Sequence, residues 1–217
     1  MSNFIQRQVR KIYDATRRNI ANNLEMKSLI TALILIFVNY ASADVNTLGN
    51  ESAPIEIIEY SSFTCPHCAS FHQDELPKIK KKYIDTGKVK ITHRSMFHPE
   101  DIISFRLSML PYCSGINYHK SLKALMKTQR NWMLETNKHL DVATDIMRLG
   151  GMTNEQVEAC FKNKEIEDKV LNIQLYAMKD LDLKGTPVFF VNGKRHNGYL
   201  RIKDLENIIK EIKNEKS

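Results

Sequence analysis

Two cysteines two residues apart, in residues 62–68 (SFTCPHC), constrain this chain more than any other feature. They follow residues 55–60 (IEIIEY), a short Ile-rich run after Pro54 that predicts a strand. Residues 69–82 predict a helix, so Cys65 is expected where the strand passes into the helix. Unpaired N–H groups and the positive end of the helix dipole favour a thiolate there. The position therefore predicts a reactive cysteine.

The spacing favours redox chemistry over a metal site or a structural crosslink. A zinc site needs two further ligands, and Cys113 and Cys160 are single cysteines that do not supply a second pair. A disulfide across so short a loop would add little stability. We therefore expect Cys65 to attack disulfides and Cys68, one helical turn further on, to resolve the mixed disulfide.

Two segments carry a resemblance to a known family. Residues 59–68 (EYSSFTCPHC) and 185–193 (GTPVFFVNG) resemble the DsbA-like thiol:disulfide oxidoreductases of bacterial envelopes, and the resemblance extends over about residues 54–212. It implies an α/β chain with a thioredoxin fold and an inserted helical subdomain. It also implies that Pro66 and His67 set the reduction potential, and it implies no cofactor and no metal.

The second segment predicts the loop opposite the cysteines. Proline is tolerated at the first residue of a central strand, and the bond before it can be cis. The resemblance implies a cis Thr186-Pro187 bond, with both residues facing Cys65 and Cys68 and binding substrate.

Glu59 has two interpretations that the sequence leaves open. It matches the buried acid of the family, which moves protons to or from Cys68. Alternatively it is a strand carboxylate facing solvent, because Glu56 is equally placed by the alternation of a strand.

The first 43 residues predict export. Residues 1–25 are a basic extension, and residues 26–43 combine Lys27, a short apolar core and Ala-Ser-Ala, the layout of a signal peptide. Translation starting at Met26 would make the extension an over-long gene start, whereas a real extension could keep the signal as an uncleaved inner-membrane anchor. A buried core helix is a further alternative. We expect the periplasm as the location.

The charge excludes a nucleic-acid surface. Residues 1–43 hold six Lys and Arg against two Asp and Glu, which is +4 of the total +7 and leaves +3 for residues 44–217. The lysines alternate with glutamates, which is typical of the solvated face of helices.

The remaining pattern divides the exported part into three segments. Residues 44–97 and 185–217 form the two halves of the thioredoxin fold, and residues 98–184 form the helical insertion. The first half includes a predicted second strand at 88–93. The second half contains a strand at 188–191, an Asn-Gly hairpin turn, a returning strand at 194–197 and a closing helix at 202–212. Helices are predicted in the insertion at 100–110, 118–128, 140–149, 153–163 and 165–183. Pro111 is expected to end or kink the first of them, which would then stop early.

Cys113 and Cys160 both fall in the insertion. They are either two buried free thiols or a structural disulfide, and an oxidising compartment favours the disulfide. Some DsbA-like proteins carry such a second pair.

The function expected from these features is oxidation of reduced exported proteins, with a DsbB-like, quinone-linked membrane partner as reoxidant. We expect a monomer rather than an oligomer. A disulfide isomerase or reductase is the alternative, and a copper(I)-handling protein that adds Met96 or Met109 to the cysteines is a weaker one. His72, His93, His98 and Trp132 carry no motif and are expected to be packing or surface residues.

Overall fold

A computed structural model describes residues 45–115, 117–134 and 138–214 of the chain. The basic extension and the signal segment predicted for residues 1–25 and 26–43 lie outside the described residues. Within the described ranges, no helix has both the length and the apolar composition needed to cross a membrane.

A five-stranded mixed sheet carries the fold, in the order β1-β3-β2-β4-β5. Strands β2 and β3 run parallel over seven residue pairs, and the other neighbours are antiparallel. The apolar β2 and β4 lie side by side in the middle, as their composition predicts. The strands are β1 Thr47–Leu48, β2 Ile55–Ser61, β3 Val89–Ser95, β4 Val188–Val191 and β5 Lys194–Asn197.

Helix α1 covers residues 66–84 and alternates between α-helical and π-helical turns. Its α-helical parts are Pro66–Ser70 and Leu76–Ile79, and its π-helical parts are Phe71–Glu75 and Lys80–Ile84. Proline at the first position costs no hydrogen bond, because that N–H has no partner within a helix. The helix therefore begins immediately after Cys65, where the sequence predicts that the strand passes into the helix.

Six helices of the described chain lie between β3 and β4, one more than predicted. The predicted helix 165–183 ends early, and Asp182 beyond it has a φ of 49°. Thr153 and Gln156 form the predicted capping box, with bonds of 2.8 and 3.2 Å. The helices are α2 Ile102–Cys113, α3 Tyr118–Lys127, α4 Gln129–Met133, α5 His139–Leu149, α6 Asn154–Phe161 and α7 Lys164–Lys179.

The expectation that Pro111 ends its helix early is wrong, because α2 continues through Pro111 to Cys113. Proline removes the bond that its own N–H would have made and crowds the carbonyl of Leu107, so both costs fall on the helical turn before it. The Ser114 hydroxyl donates to the Pro111 carbonyl at 3.2 Å, and Pro111 itself is buried. Packing of this buried turn therefore compensates for the unfavourable effect of proline inside a helix.

Two large apolar clusters both include residues of α1. One lies between the sheet, α1 and the closing helix α8 Ile202–Asn214, which buries Leu205, Ile208, Ile209 and Ile212. The other fills the helical insertion and also contains Phe63 and Cys68. The motif is therefore packed against the insertion as well as attached to the sheet.

Cys113 and Cys160 form a disulfide that joins the end of α2 to α6, with their Cα atoms 5.7 Å apart. The bond closes a loop across a sequence separation of 47 residues. A loop of this length restricts the unfolded chain considerably, so the crosslink stabilises the fold mainly through the unfolded state.

Replacing both cysteines tests that contribution. In a C65S/C68S background, we expect C113S/C160S to lower the free energy of unfolding by about 3–4 kcal/mol, from loop-closure entropy. Urea unfolding under non-reducing conditions measures the difference. The background protein with dithiothreitol is the matched control and should show the same loss. Equal midpoints for the crosslinked and uncrosslinked proteins would contradict a structural role.

Candidate active site

Cys65 is the N-cap residue of α1. Its backbone is extended, with φ −79° and ψ 117°, and its Sγ accepts a hydrogen bond from the Cys68 N–H at 3.4 Å. Cys65 is partly exposed, Cys68 is fully buried, and both thiols are free in this structure. The geometry places one sulfur where another protein can reach it and the other behind it.

The two thiols have opposite acidities. Hydrogen bonds from the Cys68 thiol and the Thr186 side chain, with the N–H groups of Cys68 and His67, lower the pKa of Cys65 to about 6 despite partial burial. Burial raises the pKa of Cys68 well above its ordinary value, and the adjacent Cys65 sulfur adds to the rise. At neutral pH the reduced site therefore holds a thiolate on Cys65 and a thiol on Cys68.

Thr186 lies beside Cys65, as the resemblance implied for this loop. The Thr186-Pro187 peptide bond is cis, and Cys65 Sγ lies 3.4 Å from the Thr186 carbonyl oxygen, to which it donates only when the thiol is protonated. Thr186 lies beyond the last pair of the β2–β4 ladder, Tyr60 with Val188. The Thr186 backbone therefore lies beside the reactive sulfur and is not part of the β2–β4 strand pairing.

A groove of about 440 Å³ adjoins Cys65 and Thr186. Much of its lining is apolar, and it includes Met96, whereas Met109 lies in the core of the insertion. His98, expected to be a packing or surface residue, also lines it and is exposed. The other apolar residues of the lining are Phe97, Pro99, Met178 and Leu183.

The insertion holds the loop that carries Cys65. The Gln129 side chain donates to the carbonyl oxygens of Phe63 and Cys65 at 2.6 and 2.9 Å, and the Phe63 N–H donates to the Ser104 hydroxyl at 3.0 Å. The Thr64 hydroxyl donates to Asp101, which also caps α2. These anchors were missed by the sequence reasoning, because each is distant from the motif along the chain and has no pattern of its own.

Glu59 is buried, so the interpretation of a solvent-facing strand carboxylate is wrong. Its Oε1 lies 2.8 Å from His72 Nε2. Burial alone would raise the pKa of Glu59, but the charge and hydrogen bond of His72 outweigh it and lower the pKa. Glu56, by contrast, is half-buried and pairs with Lys90 at 3.2 Å. The two glutamates differ in burial because they lie on opposite faces of β2, and α1 covers the face that carries Glu59.

His72 and His93 extend the polar cluster beneath the cysteines. The rings of these two histidines lie 6.2 Å apart, and His93 contacts the Tyr118 hydroxyl at 2.7 Å and the Ser61 hydroxyl at 2.9 Å. Burial lowers the pKa of His93 to about 3, so its ring is neutral. The remaining motif-free residue, Trp132, is a packing residue as expected: it is fully buried, and its indole N–H donates to a carbonyl at 3.1 Å.

Comparison with known proteins identifies the family. The family model described as Thioredoxin matches residues 42–211. The crystal structure of Wolbachia pipientis alpha-DsbA1 superposes with a TM-score of 0.70 at 32% identity, covering 76% of this chain and 89% of that one. The chain belongs to the DsbA-like thioredoxin family. Chlamydia trachomatis DsbA, at 19% identity and a TM-score of 0.60, shares the fold.

Curated relatives of this DsbA-like chain carry names in the same class. A Rickettsia conorii protein named "Putative protein-disulfide oxidoreductase" is 34% identical over 153 residues, which is 70% of this chain and 54% of the relative. The Bacillus subtilis "Disulfide bond formation protein D" is 42% identical over 52 residues, 24% of this chain and 23% of that protein. The chain thus spans about half the length of the Rickettsia relatives it matches.

The acidity of Cys65 has a direct spectroscopic test. We expect the thiolate absorbance of the reduced protein near 240 nm to rise with a midpoint near the pKa of about 6. The C65S variant is the control and should lose this step, whereas C68S should keep one below the ordinary cysteine range. A wild-type step at the ordinary cysteine pKa would contradict the assignment.

The same pKa predicts how stability depends on pH. Cys65 binds its proton more weakly when folded than when unfolded, so the reduced protein gains stability as pH rises from about 6 towards the ordinary cysteine pKa of about 8.5. The gain is lost as pH falls through 6. Urea unfolding measures the free energy of unfolding of the reduced and oxidised proteins across this pH range. That of the reduced protein should rise relative to that of the oxidised protein. Parallel pH profiles for the two forms would refute it.

Proposed function

We propose that this chain is an exported dithiol oxidase that introduces disulfides into other proteins by exchange at Cys65-Pro66-His67-Cys68. The observation that carries the proposal is the opposite shift of the two cysteine pKa values at the N-terminus of α1. A stabilised Cys65 thiolate favours the reduced form of the protein. It therefore makes the Cys65–Cys68 disulfide a strong oxidant.

The exchange proceeds in two attacks. A substrate thiolate attacks Cys65 Sγ in the oxidised protein, which forms a mixed disulfide and breaks the Cys65–Cys68 bond. A second substrate thiolate then attacks the substrate sulfur of the mixed disulfide, and Cys65 leaves as a thiolate. The substrate loses two electrons and the site gains them. Cys65 is the better leaving group of the pair because its thiolate is stabilised.

Cys68 leaves the first step as a buried thiolate and must take up a proton, because burial raises its pKa. We propose that Glu59 relays to it the proton that the substrate thiol releases on ionising. The Glu59 carboxylate holds no proton of its own at rest, because its pKa is lowered, and its charge raises the pKa of Cys68. His72 holds the Glu59 carboxylate in place by their 2.8 Å contact.

Substrate would bind along the groove beside Cys65. The Thr186 backbone lies outside the strand ladder, so an extended substrate segment could pair with it as an added strand. Pro187 fixes the position of that backbone opposite Cys65 without offering a group that reacts. The apolar lining of the groove suits reduced, incompletely folded proteins, which expose apolar side chains.

The setting we propose is the periplasm, with a DsbB-like, quinone-linked membrane partner that reoxidises a monomeric enzyme. The support is the signal-like layout of residues 26–43 and the name of the Bacillus subtilis relative, which refers to disulfide bond formation. Isomerisation or reduction is the competing assignment, and the reduction potential separates them.

Equilibration with glutathione buffers tests the proposal. We expect the Cys65–Cys68 pair to remain largely reduced at glutathione ratios that oxidise a thioredoxin-like reductant. The reduction potential should lie near that of known oxidases, about −120 mV, and well above that of thioredoxin, about −270 mV. Alkylation of free thiols followed by mass spectrometry measures the reduced fraction.

Two variants check the division of labour between the cysteines. C65S should abolish oxidation of a reduced model protein, whereas C68S should accumulate mixed disulfides at Cys65, because the resolving thiol is missing. C113S/C160S is the matched control and should retain exchange. A potential in the range of reductants, or mixed disulfides trapped by C65S instead of C68S, would contradict the proposal.

A further inference from the structure

A second cavity, of about 450 Å³, lies between α1, the beginning of α3 and β1. It shares no lining residue with the groove beside Cys65. A volume of this size is in the range of pockets that hold small molecules. Its floor is apolar, formed by Leu48, Leu76, Pro77 and Leu122.

The rim of this cavity is strongly basic. Four lysines line it, Lys80 and Lys81 from α1 and Lys120 and Lys123 from α3. The single acid in the lining, Asp85, is already paired with Lys80. The other three lysines are exposed and have no ion pair with an acid of the described residues. The rim of the apolar cavity therefore carries three lysines, Lys81, Lys120 and Lys123, that no acid of the described residues neutralises.

Two histidines also line the cavity, but neither offers it a free polar group. Burial lowers the pKa of His119, and hydrogen bonds to the backbone of Asn46 and Thr47 oppose that shift. The other histidine is His72, and its Nε2 is occupied by Glu59.

We propose that this cavity binds a small anionic amphiphile, with a carboxylate or phosphate head at the lysine rim and an aliphatic or aromatic body on the leucine floor. The apolar floor accounts for the body, since burying it removes apolar surface from water. The three unpaired lysines account for the head, since a charge-assisted bond to an ammonium is stronger than a neutral one. A free amphiphile and a membrane lipid share this chemistry.

Decanoate and 1-decanol are the matched probes, because they share a ten-carbon body and differ in the charged head. We expect decanoate, below its micelle concentration, to shift the amide resonances of residues lining the cavity and to bind at least about tenfold more tightly than 1-decanol. Titration of ¹⁵N-labelled oxidised protein measures both affinities. Equal binding of the two probes, or shifts confined to the groove beside Cys65, would overturn the proposal.

Lysine variants test the rim. K120Q/K123Q should weaken decanoate binding about tenfold, because both lysines are exposed and unpaired. K203Q/K210Q, which removes the same charge from exposed positions on α8, is the control and should bind decanoate as the unaltered protein does. Unchanged binding by K120Q/K123Q would also overturn the proposal. Sedimentation with anionic phospholipid vesicles then separates the sources: dependence on Lys120 and Lys123 assigns a membrane lipid, and its absence assigns a free amphiphile.

Discussion

The placement of Cys65 Sγ at the N-terminus of α1 is the constraint on which the site depends, because the sulfur there receives hydrogen bonds from the Cys68 thiol and from the Cys68 N–H at 3.4 Å. This placement arises because β2 ends at Ser61 and the chain passes through residues 62–65 before α1 begins at Pro66, so that Cys65 becomes the cap of a helix instead of a residue within it. The same geometry sets Cys68 one turn deeper, where it is fully buried. One backbone junction therefore gives two chemically identical side chains opposite acidities.

The rest of the fold keeps that junction in place. Central β2 is held between β3 and β4, which fixes where the strand ends. The insertion supplies Gln129 and Ser104, which bind the loop backbone from the other side. The turn before β4 brings Thr186 to within 3.4 Å of the reactive sulfur. The helical insertion is thus part of the active site's support as well as an addition to the sheet.

Local patterns in the sequence predicted the features that depend on neighbouring residues. The Cys-Pro-His-Cys motif between an apolar run and a helix predicted the capping position of Cys65, and Asn192-Gly193 predicted the turn that both residues make with positive φ. The cis Thr186-Pro187 bond followed from the family resemblance. The residues that could not be predicted are those whose role comes from contacts across the chain. His72 became a partner of Glu59 only because α1 lies over β2, and Gln129 reaches Cys65 from 64 residues away. Pro111 shows the reverse case, in which burial overrides a local preference.

The central claim is that the cap position of Cys65, with its hydrogen bonds from Cys68 and Thr186, and the burial of Cys68 divide the two thiols into a thiolate and a thiol. Nuclear magnetic resonance of reduced protein with ¹³Cβ-labelled cysteine follows each sulfur separately through a pH titration, because the Cβ shift reports ionisation of its own thiol. The account predicts a Cys65 transition near the pKa of about 6, and a Cys68 resonance that stays in its protonated position beyond the ordinary cysteine range. Two transitions at similar pH, or Cys68 ionising first, would contradict it.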